Sequence, residues 1–278
     1  MTKPLILVCN DDGIGSPGLR AAAQAVTGLG EVVVVAPKSQ QTAAGRSLTG
    51  PDHAVLEPVS YRVSGRKIRA YQVDCSPAML VDLAFVVLFS GRLPDLVVSG
   101  INYGENAGAV VTASGTVGAA LEAAGLGVPA LAVSRQTEIK HHMRYGRLDW
   151  GASRHFTRKV VKMLLGRRFP DGVDVFNLNV PADAKKTTPM RLTRVSRQSY
   201  FIFEIPGATL ASSLGDGRVR VKVGHDCLEK DSDIYALTCD RVVSLTPLTS
   251  DLTSRARPGK VNAWLASSCR AERSRPLQ

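Results

Sequence analysis

Through the first half of the chain, short β-branched apolar runs alternate with Ala- and Leu-rich stretches. The runs at 5–9, 31–36, 96–99 and 130–134 have the length and composition of buried strands. The stretches at 19–26, 79–89 and 117–126 carry apolar residues at helical spacing. Strands alternating with helices predict a parallel sheet covered on both faces, a doubly wound α/β core. Between the second strand and second helix, residues 55–63 and 67–73 read as a hairpin turning at Ser64-Gly65.

A further helix is predicted over 150–165, followed by a strand over 173–180 that Pro181 ends. The pattern then changes. Segments 190–195, 200–205, 218–223, 234–238 and 242–246 read as strands without intervening helices. The expected organisation is a Rossmann-like core over 1–185, a β-rich hairpin extension and closing segment over 186–253 that serves oligomerisation, and a basic, partly flexible tail over 254–278.

The composition of the 278 residues is that of an ordinary globular protein, 44% hydrophobic and 21% charged. No basic stretch and apolar core of a leader is seen near Met1, and the longest apolar stretch, 78–90, contains Asp82 and is too short for a bilayer. The expectation is a cytoplasmic protein with no membrane partner. The five cysteines are scattered without a C-x-x-C pair, which predicts free buried thiols, and neighbouring His141 and His142 read as a solvated face. A net charge of +11 suits an anionic substrate. Aromatics make up only 5%, and no nucleic-acid-binding signature accompanies the charge, so duplex binding is not expected.

The chemistry concentrates where strands should end. Asn10-Asp11-Asp12-Gly13 follows the first strand directly, at the sheet edge where open α/β folds bind ligands. Adjacent carboxylates repel one another unless a positive charge sits beside them, and a hard divalent cation is the natural candidate. The next residues, Gly13 to Gly18, also fit G-x-G-x-x-G. Against a dinucleotide stand the two aspartates, which would face the pyrophosphate, and the absence of an acid where the second strand ends at Ala36-Pro37-Lys38. These glycines are read as turn residues, with Pro17 opening a helix.

Three more clusters fall on the same edge. The polar loop 37–49 offers hydroxyls and amides as oxygen donors. Asn102, after Ser99-Gly100-Ile101, can present its amide oxygen to a metal or its NH₂ to a phosphate. Ser114-Gly115-Thr116 opens a helix whose free N–H groups and hydroxyls form an anion site. Together these describe a metal-dependent phosphate-ester hydrolase.

In order and combination, LVCNDDGIGSPG (7–18), VAPKSQQTAAGRSLT (35–49), DLVVSGINYGEN (95–106), SGTVGAA (114–120) and PALAVS (129–134) resemble the SurE family, the survival-protein-E nucleotidases. NLNVP (177–181) and 233–253 look like its closing segments, so the resemblance covers roughly residues 4–253. It implies a Rossmann-like core with a C-terminal hairpin extension and a homodimer or homotetramer. The implied activity is divalent-metal-dependent release of phosphate from nucleoside 5′- and 3′-monophosphates. The implied cofactor is Mg²⁺ or Mn²⁺, one per subunit. Asp11 and Asp12 would be both catalytic residues and metal ligands. Thr42, in place of the family's serine, and Asn102 would complete the metal shell, while Asn106, Ser114, Gly115 and Thr116 would hold the phosphate.

Two departures stand out. Residues 109–113 are Ala-Val-Val-Thr-Ala where many members carry Asp and Tyr, and Cys75-Ser76-Pro77-Ala78-Met79 replaces the frequent Gly-Thr-Pro-Ala-Asp. The alternatives left open are a nucleotide- or dinucleotide-binding protein using Gly13, Gly15 and Gly18, and a catalytically silent SurE-like scaffold. Tyr103 is a candidate for stacking on a base, and Tyr200 or Phe201 for a subunit contact.

Overall fold

A computed structural model of the chain describes residues 3–142 and 144–273, with side chains described through residue 266. In chain order the core elements are β1 (Leu5–Cys9), α1 (Pro17–Val26), β2 (Glu31–Pro37), β3 (Glu57–Pro58), β4 (Tyr61–Val63), β5 (Arg66–Val73), α2 (Pro77–Leu88), β6 (Leu96–Tyr103), α3 (Gly115–Gly125), β7 (Ala130–Arg135), α4 (Gly151–Leu164) and β8 (Val175–Val180). Then come β9 (Met190–Leu192), β10 (Phe201–Glu204), β11 (Arg218–Val221), α5 (Asp233–Thr238), β12 (Val243–Leu248) and α6 (Pro258–Arg273).

The central sheet runs β3-β5-β2-β1-β6-β7-β8-β12-β9, with β4 paired to β5. From β5 through β8 all neighbours are parallel, whereas β12 runs antiparallel to β8. Alternation along the strands divides the core. Ile6, Val8, Val32 and Val34 pack with Leu19, Val26, Phe156 and Val160 of α1 and α4. Leu5, Leu7, Val33 and Val35 pack on the other face with Leu80, Phe85, Val117 and Ala120 of α2 and α3. A side chain period of two, with both faces buried, is why β1 is apolar at every position.

Strand order reverses at β1, since β2 lies on one side of it and β6 on the other. The carboxyl ends of β1 and β6 therefore flank the crevice expected of a doubly wound sheet.

Several expectations change on the structure. The hairpin around Ser64-Gly65 is present as β4 and β5, with β3 split from β4 at Val59-Ser60. Segment 234–238 is a helix, not a strand. Ser232 caps α5 by accepting from the Tyr235 N–H, and Ile234 and Leu237 are buried one turn apart. Strands β9 and β12 lie in the central sheet, so only β10 and β11 form a separate antiparallel hairpin. Strand β6 runs on through Tyr103, placing Asn102 inside the strand and not in a turn after it. Part of the basic tail is helical, as α6, and residues 274–278 lie outside the described residues. Of the thiols, Cys9 and Cys75 are buried but Cys227 and Cys239 are exposed, while the Cys269 side chain lies outside the description. Among the described residues no helix is long and apolar enough to cross a membrane.

Candidate active site

The loop after β1 is held from within. Asn10 accepts from Gly13 N–H at 3.3 Å and donates back to Gly13 O at 3.2 Å, closing a tight turn in which Gly13 takes φ +105°. Ser16 then caps α1, its hydroxyl accepting from Gly18 and Leu19 N–H, with Pro17 at the first helical position. The last glycine of the G-x-G-x-x-G pattern packs a helix on a strand. A Cβ on Gly18 would lie 2.0 Å from Ile101 O, so its bare Cα lets α1 approach β6.

This turn buries both aspartates. Asp11 Oδ1 accepts from the Thr116 hydroxyl at 2.5 Å. Asp12 Oδ2 accepts from Tyr103 N–H at 3.2 Å, and its Oδ1 accepts from Gln40 Nε2 at 3.2 Å. Burial pushes the pKa of Asp11 up, and burial reinforced by the charge of Asp11 pushes that of Asp12 well up. Among the described residues, neither carboxylate is paired with Lys, Arg or His.

Helix α3 comes unusually close. A Cβ on Gly115 would meet Asp11 Oδ2 at 2.9 Å, so glycine is required for the helix N-terminus to sit against the carboxylate. Ser114 caps the helix, its hydroxyl accepting from Val117 N–H at 3.1 Å. The polar loop after β2 is clamped to the same helix: Gly45 N–H donates to Ala113 O at 3.0 Å, and a Cβ on Gly118 would stand 2.0 Å from Gly45 O. The Arg46–Glu122 ion pair, at 2.6 Å, adds a second tie.

Asn102 lines the cavity and donates its side chain amide to Gly104 O at 2.8 Å, which commits the NH₂ end and makes the carbamoyl oxygen the ligand it can offer. Asn106 is fixed on every side, by Asn179 Oδ1 to its N–H, by Ser134 Oγ to its side chain amide, and by the amides of Asn177 and Asn179 to its carbonyl.

These residues surround a cavity of about 320 Å³. Asp11, Thr42, Asn102, Asn106 and Ser114 line it directly, whereas Asp12, Gly115 and Thr116 stand behind that lining. Thr116 is committed to Asp11 through both its hydroxyl and its backbone N–H, which leaves the Gly115 N–H as the helix-end donor. Gln40, Ile139, His142, Phe201 and Val219 also line the cavity and were not singled out as site residues from the sequence. Their signal was weak, because the hairpin and the 139–142 segment reach the site only through the fold. Tyr103, a candidate for base stacking, also lines the cavity, with its ring buried against Tyr145 and Trp150 and its hydroxyl donated to Gly146 O. Tyr200 is likewise buried, which removes it as a subunit contact.

No group of three or more His, Cys, Asp or Glu suited to a metal occurs among the described residues. The donor set is instead the Asp11 carboxylate with the neutral oxygens of Asn102 and Thr42 on one cavity, and the Asp12 carboxylate next to Asp11 behind that lining. Two buried, unpaired carboxylates lack a positive partner, and all-oxygen donors match a hard divalent cation, so the residues present fit such an ion.

The family model described as "Survival protein SurE" matches residues 6–201. The chain belongs to the SurE family. Among SurE relatives, a 5′-nucleotidase SurE of Thermococcus gammatolerans is 40% identical over 260 residues, covering 90% of this chain and 91% of that protein. One from Methanothrix thermoacetophila is 39% identical, covering 92% and 96%. The crystal structure of the SurE protein from Aquifex aeolicus superposes with a TM-score of 0.73 at 28% identity, covering 94% of this chain and all of that one. The SurE nucleotidases imply a divalent metal, in accord with the oxygen donors gathered here.

Proposed function

We propose that this chain is a divalent-metal-dependent 5′-nucleotidase that releases phosphate from nucleoside 5′-monophosphates, and also acts on 3′-monophosphates. The single observation that carries the reading is the pair of buried, unpaired carboxylates, with Asp11 lining the cavity hard against the N-terminus of α3 and Asp12 next to it. The 5′-nucleotidase relatives support the substrate class.

Asp11, Asp12, Thr42 and Asn102 would hold one Mg²⁺ or Mn²⁺ per subunit. When bound, the ion supplies Lewis acidity, polarising a phosphoryl oxygen and making a water more acidic. Asn106 and Ser114, with the Gly115 N–H at the positive helix end, bind the phosphate and neutralise charge that develops on it, while Thr116, expected as a phosphate ligand, is turned onto Asp11. The Thr116 hydroxyl fixes the rotamer of Asp11, and Gln40 with the Tyr103 amide fixes that of Asp12. These hydrogen bonds hold both carboxylates in place to orient a water and to move a proton.

The dinucleotide alternative is not favoured. Gly18 serves helix packing, and two carboxylates occupy the place of a pyrophosphate. We also take the protein to act in the cytoplasm as a homodimer or homotetramer; the exposed Phe203 and Val221 on one face of the β10–β11 hairpin support self-association. Asp11→Ala tests the site. Phosphate release should fall by at least about a thousandfold, in line with loss of a group that acts only in the transition state, while the circular dichroism spectrum stays native. Turnover near that of the parent chain would reject the assignment.

A further inference from the structure

The cavity lining is of two kinds. Asp11, Thr42, Asn102, Asn106 and Ser114 present oxygens and amides, whereas Val110, Ile139, Phe201 and Val219 form an apolar wall. Among the described residues that line it, none is Lys or Arg. A substrate bearing one phosphate and an apolar, flat remainder suits such a cavity. A substrate with further phosphates would set negative charge against an apolar wall with no cation to meet it.

Phe201 and Val219 both come from the β10–β11 hairpin. The register pairs Phe201 with Val221 and Phe203 with Val219, so these four share one face, while Arg218 and Arg220 turn to the other and pair with Glu204. The Phe201 ring is fixed by two edge-to-face contacts, with Tyr200 at 4.8 Å and 78° and with His142 at 5.4 Å and 88°.

The foot of the hairpin is fastened to the segment that carries Asn106. Buried Tyr200 donates its hydroxyl to Glu105 Oε1 at 2.6 Å, and Glu105 also accepts from Thr137 N–H at 3.2 Å. Ala109 N–H donates to Gln198 O at 2.9 Å, and Gly108 bridges Ser199. The hairpin that supplies Phe201 and Val219 to the apolar wall is therefore tied to the segment that carries Asn106, which fixes the wall relative to the phosphate ligands.

We infer that the β10–β11 hairpin is the nucleoside-recognition element of this site, with Phe201 as the platform for the base and the Tyr200–Glu105 hydrogen bond as the tie that positions it. The inference rests on the nucleotidase reading and adds the residues that distinguish a nucleotide from other phosphate monoesters. Phe201 is a specificity residue and Tyr200 a positioning residue, since Tyr200 acts through Phe201 and Glu105.

The test compares AMP with ribose 5-phosphate, which shares the sugar and phosphate but has no base, on the full chain with Mn²⁺. Phe201→Ala should lower kcat/KM for AMP roughly tenfold, the scale of one lost aromatic–base stack, mainly through KM, and leave ribose 5-phosphate unchanged. Phe201→Tyr should restore the preference for AMP. Tyr200→Phe should raise KM for AMP several-fold with kcat for ribose 5-phosphate unaffected. Unchanged ribose 5-phosphate turnover is also the control for folding. Equal losses on both substrates, or no loss on AMP, would overturn the inference and leave the nucleotidase reading standing. A wild-type chain that turns over ribose 5-phosphate but no nucleoside monophosphate would overturn both.

Discussion

At Asp12 the fold works against ionisation. The carboxylate is buried beside Asp11, and two hydrogen bonds, from Tyr103 N–H and Gln40, do not offset that cost. Its folded-state pKa stands above the unfolded one, so between the two the folded chain binds more protons than the unfolded chain. Metal-free stability therefore falls as pH rises through that window. Asp12→Asn removes the charge and keeps the shape. The metal-free variant should be inactive, yet at pH 8 melt above the metal-free parent by about 1 kcal/mol, roughly 2–4 °C at this chain length. Its melting temperature should also vary less between pH 5.5 and pH 8. A lower melting temperature at pH 8 would mean that Asp12 is paired in a way the hydrogen bonds do not reveal. A metal that binds only the folded chain acts in the opposite direction, stabilising the parent by about 2.7 kcal/mol at a hundredfold excess over Kd. Adding Mn²⁺ should raise the parent's melting temperature and leave Asp12→Asn nearly unmoved; differential scanning fluorimetry with EDTA and Mn²⁺ checks both.

Residue chemistry of this kind was legible in sequence where neighbours in the chain are also neighbours in the site. Asp11 and Asp12 announce themselves as an adjacent pair after an apolar strand, and Ser114-Gly115-Thr116 as the start of a helix. What was not legible was division of labour. Thr116 carries the hydroxyl of a phosphate ligand, but the fold turns it onto Asp11. Tyr103 lines the cavity but its ring is locked in an aromatic cluster, whereas Phe201, nearly 100 residues away in sequence, lines it from the hairpin.

At the scale of elements, the site depends on close approach of backbones. Helix α3 meets the loop after β2 at Gly118, where a Cβ would lie 2.0 Å from Gly45 O, and Gly45 itself holds φ +57°. Thr42 is in that loop, three residues before the contact. Gly118→Ala should push the loop off the helix, destabilise the chain by about 1–3 kcal/mol and weaken activation by Mn²⁺ at least tenfold; urea unfolding and a Mn²⁺ titration of phosphate release measure the two effects. Full activation at the parent's Mn²⁺ concentration would show that the loop does not position a ligand. The doubly wound core could be read from alternating elements because β1 is apolar throughout and β2, β6 and β7 each carry a continuous apolar run. The second half was harder. Segment 234–238 has the β-branched and aromatic residues of a strand, but Ser232 caps it and burial of Ile234 and Leu237 on one side makes it a helical turn. Strands β9 and β12 look like parts of an extension in sequence and join the central sheet through pairing of β12 with β8, a long-range contact that local patterns do not encode.

The whole molecule places this chemistry at one spot. Strand order turns at β1, so the loop after β1 and the end of β6 open on the same crevice, and α3 and the hairpin close it from two sides. The net charge of +11 does not enter the cavity, whose lining among the described residues holds acids and neutral groups only. In the proposed function, positive charge at the reaction centre comes from the helix end and from a bound cation, which makes metal dependence the central claim. The most direct measurement is phosphate release from a panel of nucleoside 5′- and 3′-monophosphates by the same preparation, first treated with EDTA and then supplied with Mn²⁺ or Mg²⁺. The account predicts negligible release in EDTA and recovery of turnover on adding either ion. Equal release from nucleoside monophosphates with and without EDTA would contradict it.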